Sequence, residues 1–282
     1  MKKTILFLLL AASPADATPL KLFVLRDYPT LGISSCLVID GGGGKKIDLP
    51  NLAFLIDHPK GLTLIDAGYG SRFGEIKKSF PSSLFYSFIR VDTGRECLRG
   101  NLKKMGIAPE SIKHLILTHL HLDHAGGAID FPNAEVIVGK TEWEENNHLP
   151  GFIRESIAKR LKIVDLAKGK KYFSFDKSVD LFGDDSLVMV STPGHTPGHS
   201  SLFLKFDSGK RFLLAGDVAW IAENYLRPAR KGWFRWMLEP RWKDEALFKI
   251  HRLAEDFPEI KIIPSHDPTA DQELLRPPAY YE

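Results

Sequence analysis

The stretch Thr118-His119-Leu120-His121-Leu122-Asp123-His124 constrains this chain more than any other, because three imidazoles and a carboxylate stand within six residues directly after the apolar Leu115-Ile116-Leu117. Packing has no use for such a run. Imidazole and carboxylate are the ligands of a catalytic Zn²⁺ or a similar first-row metal. A strand that runs into a loop can aim them at one place: if the strand persists, His119 and His121 at i and i+2 share a face. Asp123 and His124 come where Ala125-Gly126-Gly127 already turns the chain, so they address a neighbouring position. Two adjacent metals are the economical reading. A solvated polar turn that happens to be rich in histidine does not account for four ligand-type residues at this spacing.

One loop cannot supply a two-metal centre, so other strands must end in ligands. Leu187-Val188-Met189-Val190 reads as a buried strand and leads into Ser191-Thr192-Pro193-Gly194-His195-Thr196-Pro197-Gly198-His199, where paired Pro-Gly turns hold the backbone while histidine projects. Asp217 stands at the end of the apolar run Arg211-Phe212-Leu213-Leu214-Ala215-Gly216, and Ser265-His266 follow Lys261-Ile262-Ile263-Pro264. Singly, each reads as a turn-capping Asp or a surface His. Together, after the first motif, they read as ligands.

In this order, HxHxDH, then TPGH, then an Asp after a strand, then a late His, the chain resembles the metallo-β-lactamase superfamily over nearly all of its length past the N-terminal segment. The resemblance implies two divalent cations, zinc first, with Mn, Fe or Co also compatible. His119, His121 and His195 would hold one and Asp123, His124 and His266 the other, with Asp217 bridging. His195 is preferred to His199 because the family's ligand directly follows the first Pro-Gly; His199 would then support or pack. The β-lactam-hydrolysing branches resemble the chain less, since they put Cys or Ser near the bridging position, and Cys36 and Cys97 both precede the metal motif.

The closer likeness is to the N-acyl-homoserine lactonases. It rests on Asn51-Leu52-Ala53-Phe54-Leu55-Ile56 before Thr63-Leu64-Ile65-Asp66-Ala67-Gly68, on the two histidine motifs, and on Ser265-His266-Asp267. It implies a hydrolase acting on a small-molecule lactone or ester with an apolar tail. Two metals about 3.5–4 Å apart would make hydroxide available near neutral pH and polarise the carbonyl. Asp123 would carry the proton to the leaving alkoxide, and Asp66 would orient ligating histidines. A glyoxalase II-like thioesterase or general esterase on the same metals is the alternative, and a di-iron oxidoreductase is one of a different class. One departure stands out: Trp220 occupies the place of a Tyr usual in those lactonases, and an indole N–H can donate a hydrogen bond but cannot accept one. Tyr225, close by in sequence, is the candidate to replace that phenol.

The N-terminus reads as a secretory signal over residues 1–17: Lys2 and Lys3, an apolar run from Ile5 to Ala12, and small Ala15 and Ala17 at the cleavage site. A secreted or periplasmic protein is expected, with residues 18–282 as one hydrolase domain. The apolar run is too short to span a bilayer, which takes about 20 residues. Cleavage would remove two lysines and one aspartate and lower the formal charge from +3 to +2, which argues against a nucleic-acid partner. Cys36 and Cys97 could pair in an oxidising compartment or remain free thiols.

Strands followed by a helix, twice over, suggest two sheets face to face with helices outside, an αββα sandwich. A helix is expected over 95–105, stopped by Gly106, a strand over 134–138, a helix over 141–147 and an amphipathic helix over 242–257. Gly41 to Gly44 reads as a loop. Trp220, Trp233, Trp236 and Trp242, interleaved with Arg227, Arg230, Arg235 and Arg241, suggest a lid over the metals and a possible homodimer contact, against ordinary packing with solvated arginines. Phe85-Tyr86-Ser87-Phe88 would form the opposite wall. His58, His114, His148 and His251 show no ligand pattern and read as structural or surface residues.

Overall fold

A computed structural model describes residues 19–39, 41–78, 89–227 and 245–282. The expected signal over 1–17, the Phe85-Tyr86-Ser87-Phe88 wall, and Trp233, Trp236 and Trp242 of the expected lid lie outside the described residues.

In one six-stranded sheet, Lys21–Arg26 pairs antiparallel with Leu52–Asp57, which pairs antiparallel with Thr63–Ile65; His114–Ile116, Glu135–Gly139 and Leu161–Val164 then follow in parallel. In the other, Lys170–Tyr172, Phe175–Asp180, Leu187–Ser191, Ser200–Lys205 and Arg211–Gly216 form an antiparallel meander, and Lys261–Pro264 joins the last of them in parallel. A small third sheet sets Thr30–Ser34 between Lys46–Leu49 and Arg90–Val91.

The apolar runs are continuous because both faces of each large sheet are covered. Leu115 and Leu117 face a helical layer with Leu98, Leu102, Ile153 and Ile157, whereas Ile116 between them faces the other sheet with Leu187, Met189, Leu202 and Leu214. Val188, Val190, Phe203 and Leu213 alternate the opposite way and meet Ala246, Leu247, Ile250 and Leu253 of the helix Glu245–Asp256. This period of two produces four layers, the expected αββα sandwich. Each fully buried Leu, Ile or Phe contributes about 1.5–3 kcal/mol, so the two sheets are held by dispersed apolar contact. Both thiols are free. Among the described residues, no helix is long and apolar enough to cross a membrane.

The topology also gathers loops. Thr63–Ile65, His114–Ile116 and Glu135–Gly139 run in parallel, so the segments that follow them emerge at one edge, as ligand-binding loops do in open parallel sheets. Among the boundaries that differ from expectation, two stand out. The metal-motif strand stops at Ile116, so His119 and His121 ride a loop, and Leu122–Ala125 is already a helical turn. The helix expected from residue 95 runs Leu98–Lys104, with Cys97 before it and the Leu98 N–H donating to the buried Asp27 carboxylate.

Candidate metal centre

All seven expected ligands converge. His119, His121 and His195 form one group of potential ligand atoms, Asp123, His124 and His266 another, and His119, His124 and Asp217 a third that overlaps both. His195 Nε2 lies 3.1 Å from His119 Nε2 and 2.8 Å from His121 Nδ1. On the other side, Asp217 Oδ1 is 3.2 Å from His124 Nε2 and 3.1 Å from His266 Nε2, while Oδ2 is 3.4 Å from His195 Nε2. One carboxylate thus turns an oxygen to each group, the geometry of a bridging ligand. Asp123 Oδ2 closes the second group at 3.6 Å from His266 Nε2 and 3.8 Å from His124 Nε2, and its side chain is 24% exposed where Asp217 is nearly enclosed.

The far side of each ring shows which nitrogen faces inward. The chain leaves the strand Thr63–Ile65 through Asp66 in a left-handed conformation (φ 59°), which Asp tolerates. Asp66 Oδ2 accepts His124 Nδ1–H at 2.8 Å, and Oδ1 accepts the Thr118 N–H at 2.9 Å. Thr118 Oγ1 donates to the same carboxylate and stands 3.0 Å from His119 Nδ1, so Asp66 orients one ring directly and another through a hydroxyl. His266 Nδ1 donates to the Pro50 carbonyl at 2.8 Å. Each bond fixes the tautomer whose remaining nitrogen has a lone pair toward the cluster.

His199 is not among the inward-facing rings. Its Nε2 accepts the Asp217 N–H at 3.0 Å and its Nδ1 donates to Thr192 Oγ1 at 2.8 Å, so one nitrogen holds the Asp217 amide and the other anchors the ring on Thr192. Of the two histidines in this motif, His195 is the one that lies in the group with His119 and His121.

The donor set fits divalent cations. His124 Nε2 is buried with no hydrogen-bond partner among the described residues, and three imidazole nitrogens meeting within about hydrogen-bond distance cannot all be satisfied by protons. Burial pushes His119 well below the usual imidazole range, reinforced by His124, His195 and His121, which keeps it in the neutral, ligating form. For His124 burial also works downward, but Asp217, Asp66 and Asp123 outweigh it and hold the ring well above its usual range. Burial would raise Asp217, yet His266, His124 and His195 hold it well below the usual carboxylate range.

Trp220 reaches the site, with its indole N–H donating to Asp217 Oδ2 at 2.6 Å and its ring edge-on to His266 at 5.8 Å. The donor is thus committed to the bridging carboxylate. Tyr225 corrects an expectation: the turn Ala222–Leu226 sends it into the apolar layer with Val190, Leu213 and Ile250, where burial pushes its phenol up to about 12. The described structure does not bring it to the metal ligands.

Four residues at the site went unassigned in the sequence. Asn51 Nδ2 donates to the Asp123 carbonyl at 2.9 Å. Thr118 carries the Asp66 bond to His119. His148, read as a structural or surface residue, is exposed, and its ring lies 5.8 Å from that of His121. Glu142, fully buried, accepts four hydrogen bonds, from Leu120 N–H, Asn146 Nδ2, Thr196 Oγ1 and Gly198 N–H. Burial pushes its carboxyl up, against those donors.

Two histidine-bearing groups joined by one aspartate, at the open edge of an αββα sandwich, define a dinuclear metal centre of a particular class, and the chain belongs to the Metallo-beta-lactamase superfamily, whose family model matches residues 47–266. Within it, the chain is 28% identical to the N-acyl homoserine lactonase AttM of Azorhizobium caulinodans over 281 residues, covering 94% of this chain and 100% of that protein. It is 30% identical over 189 residues to the N-acyl homoserine lactonase AiiA of Bacillus thuringiensis subsp. kurstaki, covering 64% of this chain and 69% of the other. Among solved structures, a B. thuringiensis AiiA mutant with N-decanoyl-L-homoserine bound at its active site superposes with a TM-score of 0.71 at 25% identity, over 93% of this chain and 98% of that one. An N-acyl homoserine lactone hydrolase with the product N-hexanoyl-L-homoserine at its catalytic metal centre gives 0.70 at 26% identity, over the same shares of the two chains, 93% and 98%.

Proposed function

We propose that this chain is a dinuclear metal-dependent lactonase that opens N-acyl-homoserine lactones. The observation that carries the reading is the Asp217 carboxylate, with one oxygen against His124 and His266 and the other against His195. The nearly full-length likeness to N-acyl homoserine lactonases supports the substrate class. We assign His119, His121 and His195 to one cation, Asp123, His124 and His266 to the other, and Asp217 to both. Imidazole and carboxylate donors suit zinc.

When bound, the cations supply a water-derived nucleophile near neutral pH and a Lewis acid for the carbonyl. The chain's own residues do the rest. Asp217, fixed by His199 behind its amide and by Trp220 at Oδ2, holds the two ligand groups in register. Asp123, the more exposed of the two ligand carboxylates, takes the proton given up as water adds to the carbonyl and passes it to the alkoxide released when the ring C–O bond breaks. Trp220 packs with Val38, Leu49, Ile221 and the partly buried Ile33, Ile39 and Ile47, an apolar surface beside the metals that suits an acyl tail. Export is part of the proposal, supported by Lys2, Lys3 and the apolar run before Ala15-Asp16-Ala17.

A hydrolysis panel on metal-quantified protein tests this. N-acyl-homoserine lactones are expected to turn over, longer tails at lower KM, since each buried methylene contributes about 0.8 kcal/mol. Inert lactones beside fast thioester turnover would replace the lactonase with a thioesterase on the same metals.

A further inference from the structure

We propose that Glu142 is a positioning residue for the metal centre, tying the loop that carries His119 and His121 to the loop that carries His195. The first loop follows a strand of one sheet and the second a strand of the other, so the three-imidazole group forms only if the two loops hold a fixed spacing. Glu142 bridges that gap. Its Oε1 accepts the N–H of Leu120, the residue between the two histidines, at 2.7 Å. Its Oε2 accepts Thr196 Oγ1–H at 2.6 Å and the Gly198 N–H at 3.2 Å, from the segment just after His195.

A third arm runs through Asn146, whose Nδ2 donates to Oε1 at 2.7 Å and whose Oδ1 accepts the His148 N–H at 3.2 Å, extending the tie to the turn beside His121. The tie is anchored on the helix Lys140–Glu145, which begins directly at the end of the strand Glu135–Gly139. The fit is close. A Cβ added at Gly198 would lie 2.0 Å from the Glu142 backbone nitrogen, so the second loop is laid directly on this helix.

All four partners are donors, which an ionised carboxylate satisfies and an amide does not. In Glu142→Gln the new NH₂ must face either Leu120 and Asn146 or Thr196 and Gly198, and a backbone N–H cannot turn to accept.

The inference rests on the metal-centre reading and not on the lactone substrate, so the test reads metal. Loaded wild type, Glu142→Gln, Thr196→Val and Glu145→Gln are challenged with a chromophoric chelator, and the visible spectrum of each Co²⁺-loaded protein is recorded as a report of ligand geometry. Glu142→Gln is expected to lose one metal about 10- to 100-fold more readily, with a changed Co²⁺ spectrum. Thr196→Val, lacking one arm, should shift release about fivefold. Glu145→Gln, the same charge change at an exposed position of the same helix, should match wild type. A folded Glu142→Gln that keeps both metals and the wild-type spectrum overturns the proposal. Should that variant fail to fold, unchanged release and spectrum in Thr196→Val overturn it instead. Weakened metal in Glu142→Gln alongside a wild type inert toward lactones supports the tie and rejects only the lactonase.

Discussion

Asp66→Asn is expected to weaken metal binding by about 10- to 100-fold while leaving the chain folded. Asparagine keeps the size of the side chain and tolerates the left-handed backbone at this position. What it loses is an acceptor. Asp66 Oδ2 takes His124 Nδ1–H at 2.8 Å and Oδ1 takes the Thr118 N–H at 2.9 Å, and one of those oxygens becomes an NH₂. The Thr118 amide cannot turn away, so the NH₂ goes to His124. The ring then accepts at Nδ1 and carries its proton on Nε2, the nitrogen that faces Asp217 at 3.2 Å. The ligating tautomer then lacks the hydrogen bond to a charged acceptor that Asp66 provides in the wild type, worth about 1.5–3 kcal/mol, and at about 1.4 kcal/mol per tenfold this gives the stated range. Competition against a chelator of known affinity, with unfolding followed in parallel, measures it. Affinity within threefold of wild type in a folded variant would refute the argument that Asp66 sets the tautomer.

Other perturbations follow from the same contacts. Trp220→Phe keeps a ring but removes the donor to Asp217 Oδ2; turnover is expected to fall about tenfold with both metals retained, checked by kinetics and elemental analysis. Gly127→Ala places a Cβ 2.1 Å from the Ala67 carbonyl oxygen and 3.1 Å from Gly70 Cα, which must displace backbone; urea unfolding should show a loss of about 1–3 kcal/mol or more. Removing metal with a chelator should lower the unfolding temperature, because cations that bind only the native chain stabilise it by mass action; an unchanged midpoint would mean that the ligand cluster holds no metal.

The clustered imidazoles and carboxylates were legible because metal chemistry admits few residue types and the topology must deliver them at strand ends. The run from Thr118 to His124, the Pro-Gly turn before His195, Asp217 and His266 all sit directly after apolar strands. The four layers were legible for a related reason: Leu115, Ile116 and Leu117 are apolar without a break, which a strand buried on one face would not need. What stayed hidden depended on direction in space. Glu142 looks like a solvated acid in the first turn of a helix, where it complements the helix dipole; only the loop folded over Gly198 buries it. Trp220 and Tyr225 lie three and eight residues past Asp217, and one turn of chain sends the second into the outer core while the first stays at the carboxylate. His148 has no spacing to mark it, and the loop after Asn146 carries it to His121. The small sheet of Thr30–Ser34, Lys46–Leu49 and Arg90–Val91 is short and largely half-exposed, with no alternation to announce it.

The central claim, two cations held by seven side chains for lactone hydrolysis, is tested most directly by titrating metal-stripped protein with Zn²⁺ while following proton release from an N-acyl-homoserine lactone. The account predicts that ring opening rises with added metal and reaches its maximum at two ions per chain. Full activity at one ion per chain, or none at two, would contradict it.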